Sequence, residues 1–226
     1  LICRWFKNCR LGEICTRTMS EYLGPDISPV SSTMQRTVSA LRNVLKAIYH
    51  VHPTHDDEAI AATAEALEVF VRDAGTMGLG QPSLERHTRN PLNGSMNPMA
   101  PPVNFEYQER SVTGTVRFHE GYQGPPACVH GGVVAALLDD VLGRTRHLTG
   151  RNCVTGTLNV TYKRPTPLNA DLTVHARITE ILDRKFLVSG EILHEGQVTA
   201  SAEAVFVFLD TEKFSALVSG ARDASR

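Results

Sequence analysis

Apolar residues recur at spacings of three and four along the first third of the chain. Met34, Val38, Leu41, Leu45 and Ile48 fall on one helical face. Ser32 followed by Gln35 resembles a capping box that would start this helix, and His50-Val51-His52-Pro53 ends it. Thr54 and Asp56 are candidate N-caps for a second helix, with Ile60, Ala64, Leu67 and Val71 on one stripe and Asp73-Ala74-Gly75 as its close. The pattern predicts an αα-hairpin over 32–75. Its stripes cannot bury themselves alone and must pack on something else. Residues 1–31 show no clean periodicity, and Pro25 and Pro29 break their later part. Residues 76–102 are interrupted by Gly78, Gly80, Pro82, Pro91, Gly94, Pro98, Pro101 and Pro102, and read as a linker.

Beyond the linker the period falls to two. Val112, Gly114, Val116 and Phe118 share one face of a strand. After a turn-rich stretch, Gly121–Pro126, a helical run extends from about His130 to Leu148. Four further strands follow. Val154, Leu158, Val160 and Tyr162 alternate with Thr155, Thr157, Asn159 and Thr161. Leu172, Val174, Ala176 and Ile178 alternate with Thr173, His175, Arg177 and Thr179. Phe186–Leu193 and Val198–Leu209 complete the set, with hairpin turns at Asp183-Arg184-Lys185 and His194-Glu195-Gly196. One strand, one long helix and four sequential strands imply an α+β domain over 103–210, its antiparallel sheet curling around the helix. Residues 211–226 are left as a tail.

Composition narrows the function. The chain has 226 residues, 42% of them apolar, enough for a real core. Its 23 Lys plus Arg balance 24 Asp plus Glu for a net charge of −1. That leaves no electrostatic footprint for nucleic acid. No apolar run approaches a membrane span of roughly 18 residues, so a membrane span is not expected. The five cysteines are an odd number, and no signal peptide opens the chain; the expectation is reduced thiols in a cytoplasm. Cys3, Cys9 and Cys15 are evenly spaced but form no CxxC pair. His50, His52, His55, Asp56 and Asp57 have metal-capable side chains, yet a solvated interhelical turn explains them more simply. No metal and no cofactor is expected. Cys128 beside His130 could suggest a thiol nucleophile, but nothing in the sequence orients the pair.

The segment Val129-His130-Gly131-Gly132-Val133, running on to Gly143, carries the candidate chemistry. From Val133 to Leu142 it is apolar on nearly every face, as in a buried helix. Gly131 and Gly132 allow close approach to the first amides of the helix. Those amides lack intrahelical partners and sit at the positive end of the dipole, so they could hold a developing oxyanion. A tight loop-to-helix turn would need the same glycines. Two carboxylates interrupt the apolar run. Asp140 has Arg144 four residues on, in the favourable acid-first order. Asp139 has no local cation, and partial burial would raise its pKa, a useful property in a general base. Asp139 lies seven residues beyond Gly132, about 10 Å along the axis. If both act on one bond, they come from different protomers across a two-fold interface.

These residues resemble the hot-dog-fold acyl-CoA thioesterases, specifically the PaaI-like group, over roughly residues 103–210. The resemblance rests on His130-Gly131-Gly132, Asp139 nine residues after the His, and Asn159-Val160-Thr161-Tyr162-Lys163-Arg164-Pro165. It also rests on Gly121-Tyr122-Gln123-Gly124-Pro125-Pro126 and Arg184-Lys185-Phe186. It implies a long helix wrapped by an antiparallel sheet, assembly edge to edge into a homodimer or homotetramer, and hydrolysis of an acyl-CoA thioester without a Ser-His-Asp triad. Asp139 then matches the acid that activates water or attacks directly. Gly131 or Gly132 would donate to the thioester oxygen, and His130 would shape the helix start. Thr155 matches a position thought to help hold water, although a polar strand face alone would explain a Thr there. Lys163, Arg164, Arg184 and Lys185 are candidates for the CoA phosphates; the first two could equally be turn charges. Relatives often carry Asn or Gln where this chain has Gly124. That departure leaves a non-catalytic acyl-CoA-binding or scaffold protein as the alternative. An enoyl-CoA hydratase, a third reading, would need a D-x-N-P-x-H segment, which the sequence lacks.

Overall fold

The structure is a computed structural model that describes residues 32–49, 57–76, 90–101, 103–210 and 212. Helix α1 spans Ser32–Tyr49 and α2 spans Asp57–Thr76. The strands are β1 Asn104–Tyr107, β2 Ser111–Val116, β3 Cys153–Tyr162, β4 Leu172–Ile181, β5 Lys185–His194 and β6 Gln197–Phe208. Helix α3, Gly131–Arg144, lies between β2 and β3 in the chain. All strand pairs are antiparallel, in the order β1-β2-β4-β5-β6-β3. The hot-dog arrangement that the resemblance implies is the one observed. Among the described residues no helix is long and apolar enough to cross a membrane.

The core lies between α3 and the inner face of the sheet. Val134, Leu137, Leu138, Val141 and Leu142 recur at three- and four-residue spacing and are fully buried. They meet Leu172, Val174, Ala176 and Ile178 of β4, Phe186, Val188 and Ile192 of β5, and the small Ala200, Ala202 and Ala204 of β6. Burying each such large side chain contributes roughly 1.5–3 kcal/mol. Gly190 of β5 lies against α3. A Cβ there would lie 2.6 Å from Leu142 Cδ1 and 2.7 Å from the His175 carbonyl oxygen. The β5–β6 hairpin closes on Glu195 and Gly196, both with positive φ (50° and 75°), the backbone of a two-residue type I′ turn.

The pattern of the sequence and the structure differ in five places. Strand β1 carries no clear period-two signal and was not expected; it exists because β2 offers it an edge. The long helix tightens into a 3-10 turn at Thr145–Leu148, where the buried Thr145 hydroxyl donates to the Leu142 carbonyl (2.6 Å). Residues 90–101 do not behave as a free linker. Gly94 and Ala100 are buried, Arg42 of α1 donates to the carbonyls of Asn97, Pro98 and Ala100, and Tyr122 Oη donates to Met99 O (2.5 Å). The hairpin buries less than its stripes require. Val38 of α1 is buried, but Ile48 is half exposed, Ala64 is exposed and Val71 is 68% exposed. Finally, β3 does not alternate throughout: its register against β6 shifts between Thr155 and Thr157. The candidates Cys3, Cys9, Cys15, His50, His52, His55 and Asp56 lie outside the described residues, as does the side chain of Asp57.

Candidate active site

The register shift in β3 decides where Thr155 points. Thr157, Asn159 and Thr161 pair with Val205, Glu203 and Ser201 on the outer face of the sheet. Gly156 is the extra residue of the bulge, so Thr155 falls opposite Phe206, a residue of the inner face. Thr155 therefore leaves the polar outer row that plain alternation assigns it and turns toward α3. There its hydroxyl donates to Asp139 Oδ1 at 3.2 Å. The signal was in the sequence: a glycine inside a strand pattern marks a bulge.

The two adjacent carboxylates have different surroundings. Asp140 Oδ2 pairs with Arg144 Nε at 3.1 Å, with the side chains only 11% and 17% exposed. Its other oxygen accepts from Asn93 Nδ2. Arg144 in turn donates to Tyr107 Oη (3.0 Å) and lies 3.8 Å from the Phe105 ring centroid. Asp140 is thus tied into a closed structural network, and Asn93, Phe105 and Tyr107 are members that sequence spacing could not name. Among the described residues Asp139 has no cation partner, and its bond to Thr155 is its link to the rest of the site. It is half-buried and lies on the flank of α3 that carries Ala135 and Ala136, beside the β3 edge.

At the other end of α3, His130 is the N-cap, and its Nδ1 accepts from Gly132 N–H at 3.0 Å. The His130 N–H donates to Tyr122 O, and its carbonyl accepts from Val133 and Val134. Tyr162 Oη donates to Gly131 O at 2.8 Å. No bonded acceptor for Gly131 N–H occurs among the described residues. Gly124 packs so closely that a Cβ would lie 2.7 Å from His130 Cα. The position cannot carry a side chain without a shift of the backbone.

The candidates do not all converge within one chain. Gly131 and Asp139 are eight residues apart on α3, about 12 Å along its axis. Lys163 and Arg164 follow the Tyr162 end of β3. Arg184 precedes β5 and Lys185 opens it near the Cys153 end, where Arg184 O accepts from Phe208 N. The two pairs are separated by the length of the strand, about 30 Å. Lys163 lines an open groove of about 530 Å³ with His175, Arg177, Glu191 and Glu203, on the sheet face away from α3. Arg184 lines another of about 510 Å³ with Arg151, Asn152 and Phe208. Cys128 is half-buried in the loop before the helix, where its N–H bonds Pro125 O. Among the described residues no group of His, Cys, Asp and Glu side chains is placed to hold a metal.

Fold and motif together place this chain in the thioesterase superfamily, to which it belongs: residues 128–201 match that family. A crystal structure of a thioesterase superfamily protein is 32% identical and superposes with a TM-score of 0.71 over 80% of this chain and 93% of that one. Eighty per cent is more than residues 103–210 supply, so the likeness extends beyond the α+β domain. The acyl-coenzyme A thioesterase THEM4 of Mus musculus is 38% identical over 119 residues, and that of Bos taurus 34% over 121. The human acyl-coenzyme A thioesterase THEM5 is 30% identical over 90 residues, 36% of its length. The chain spans about half the length of the two THEM4 relatives (51% and 50%).

Proposed function

We propose that the protein hydrolyses an acyl-CoA thioester to a free acid and CoA, at a site shared between two copies of the chain. The observation that carries this reading is the Thr155–Asp139 hydrogen bond. A bulge in an edge strand aims a hydroxyl at a carboxylate that has no ion-pair partner among the described residues, while the carboxylate beside it is locked in an ion pair. Asp139 then removes a proton from water as the water oxygen adds to the thioester carbonyl. Alternatively, it adds to that carbonyl itself, and water resolves the anhydride. Either way the C–S bond breaks and the thiolate takes up a proton. Thr155 orients the carboxylate.

The oxyanion donor is Gly131 N–H, because the Gly132 N–H is held by His130. With about 12 Å between Gly131 and Asp139, one substrate carbonyl meets both only if they come from different protomers. Strand β3 is a ten-residue edge of the sheet, and a long unpaired edge invites pairing. Antiparallel pairing of two β3 strands about a two-fold axis brings the Tyr162 end of one against the Cys153 end of the other. The same operation carries Lys163 and Arg164 of one protomer toward Arg184 and Lys185 of the other, where they can bind the CoA phosphates. Exposed Tyr162 and half-buried Ala135 and Ala136 along this edge support it.

Thiol release from a panel of acyl-CoAs tests the reading. Asp139→Asn should lower turnover by about 10² to 10⁴ with the fold retained by circular dichroism; an equal rate in the variant would refute the role. The binder reading is favoured by Gly124, which withholds a carbonyl-polarising amide. Tight binding of acyl-CoA without thiol release would establish it instead.

A further inference from the structure

The start of α3 has two successive glycines, the loosest joint a backbone offers. An amide that stabilises an oxyanion must be fixed before reaction, since about 1 Å of misplacement can cost about a hundredfold. The joint is held on both sides. On the near side, His130 is fixed through its own N–H on Tyr122 O (2.8 Å) and its carbonyl under Val133 and Val134. On the far side lies the peptide unit formed by the Gly131 carbonyl and the Gly132 N–H. Its N–H is held by His130 Nδ1 (3.0 Å) and its carbonyl by Tyr162 Oη (2.8 Å). The Gly131 N–H belongs to the same peptide as the His130 carbonyl, and the Gly131 Cα alone joins that peptide to the one held by His130 Nδ1 and Tyr162 Oη.

We propose that Tyr162, through its hydroxyl on the Gly131 carbonyl, is a positioning residue for the oxyanion donor. It acts from the last position of β3, whose pairing with Ala200 of β6 anchors it to the sheet. Its ring lies against Gly131: a Cβ on that glycine would meet three ring and hydroxyl atoms at 3.6 Å. Tyr162 ties the helix start to the edge strand. His130, which is part of the helix start itself, cannot supply that tie. The proposal rests on the thioesterase reading, but the clamp can be measured without turnover.

Tyr162→Phe keeps the ring and removes the bond. Three readouts decide. The first is amide hydrogen exchange at Gly132, which should quicken in the variant while the core amides of α3 stay protected; unchanged exchange overturns the clamp whether or not the enzyme turns over. The second is steady-state kinetics, where kcat should fall about ten- to a hundredfold with KM within about twofold. The third is a double-mutant cycle with Gly131→Pro. Proline is tolerated at the first helical position, and His130 already has the extended backbone (φ −60°, ψ 133°) that a residue before proline prefers. Gly131→Pro therefore deletes the donor and little else. In that background Tyr162→Phe should cost nothing more, because there is no amide left to position. A full additive loss would show that Tyr162 serves only the fold. An active wild type whose Tyr162→Phe variant keeps its kcat would overturn the positioning role and leave the thioesterase reading standing.

Discussion

Asp139 and Asp140 are neighbours in sequence and opposites in environment, so the same substitution should do different things to each. Asp140→Asn leaves the mostly buried Arg144 without its ion pair. That should cost about 3 kcal/mol of stability while leaving kcat largely intact, as separate thermal melts and thiol-release assays would show. Asp139→Asn should do the reverse. Two other buried groups make stability fall on the alkaline side. Burial pushes the Cys153 thiol up to about 11, against a smaller opposing pull from Arg146. Burial likewise pushes the Tyr122 hydroxyl up to about 12, with Arg42 pulling down and Tyr49 pushing up. Both native forms hold their proton longer than the unfolded chain. The stabilisation is complete below the unfolded values of 9.0 and 10.0 and lost as pH rises through about 11 and 12. Denaturant midpoints should fall across that window, and Cys153 should resist iodoacetamide near neutral pH until the protein unfolds. Rapid native labelling of Cys153, mapped by mass spectrometry, would contradict its protonated, buried state.

Among the elements, helix α3 is built for close approach. Its contact with β5 depends on Gly190, where a methyl group would press on Leu142 and on the His175 carbonyl of β4. Gly190→Ala should destabilise by about 1–3 kcal/mol through overpacking, read as a lower melting temperature. A neutral effect would mean that the helix can lift from the sheet freely. Strand β3 serves the site differently. Its bulge at Gly156 changes which face Thr155 occupies without changing the residues beyond it. The edge strand thus presents Thr155 at one end and Tyr162 at the other to the same helix.

At the scale of the molecule, Gly131 and Asp139 are too far apart for one carbonyl, and a mixed dimer tests the consequence. Asp139→Asn and Gly131→Pro chains should each be nearly inactive alone, by about 10² or more. Co-expressed and purified through two tags, the heterodimer has one site that combines the wild-type Asp139 of one chain with the wild-type Gly131 of the other. Activity should return toward half the wild-type value per dimer. No recovery would place the whole site within one chain. The exposed Val69, Phe70 and Val71 of α2 show that the hairpin leaves apolar surface open in the single chain.

The α+β order, the buried central helix and the carboxylate singled out on it are legible in the sequence. They follow from local rules: periods of two and of three to four, and an acid with or without a cation one turn away. The pairing of Asp140 with Arg144 followed from that same spacing. What the sequence left open depended on distant chain segments meeting. Thr155 changes face only through its register against β6, and the close packing of Gly124 on His130 shows only in three dimensions. Tyr162 reaches Gly131 across 31 residues of sequence. Which glycine amide remains open is a matter of hydrogen-bond competition in three dimensions, and no spacing along the chain encodes it.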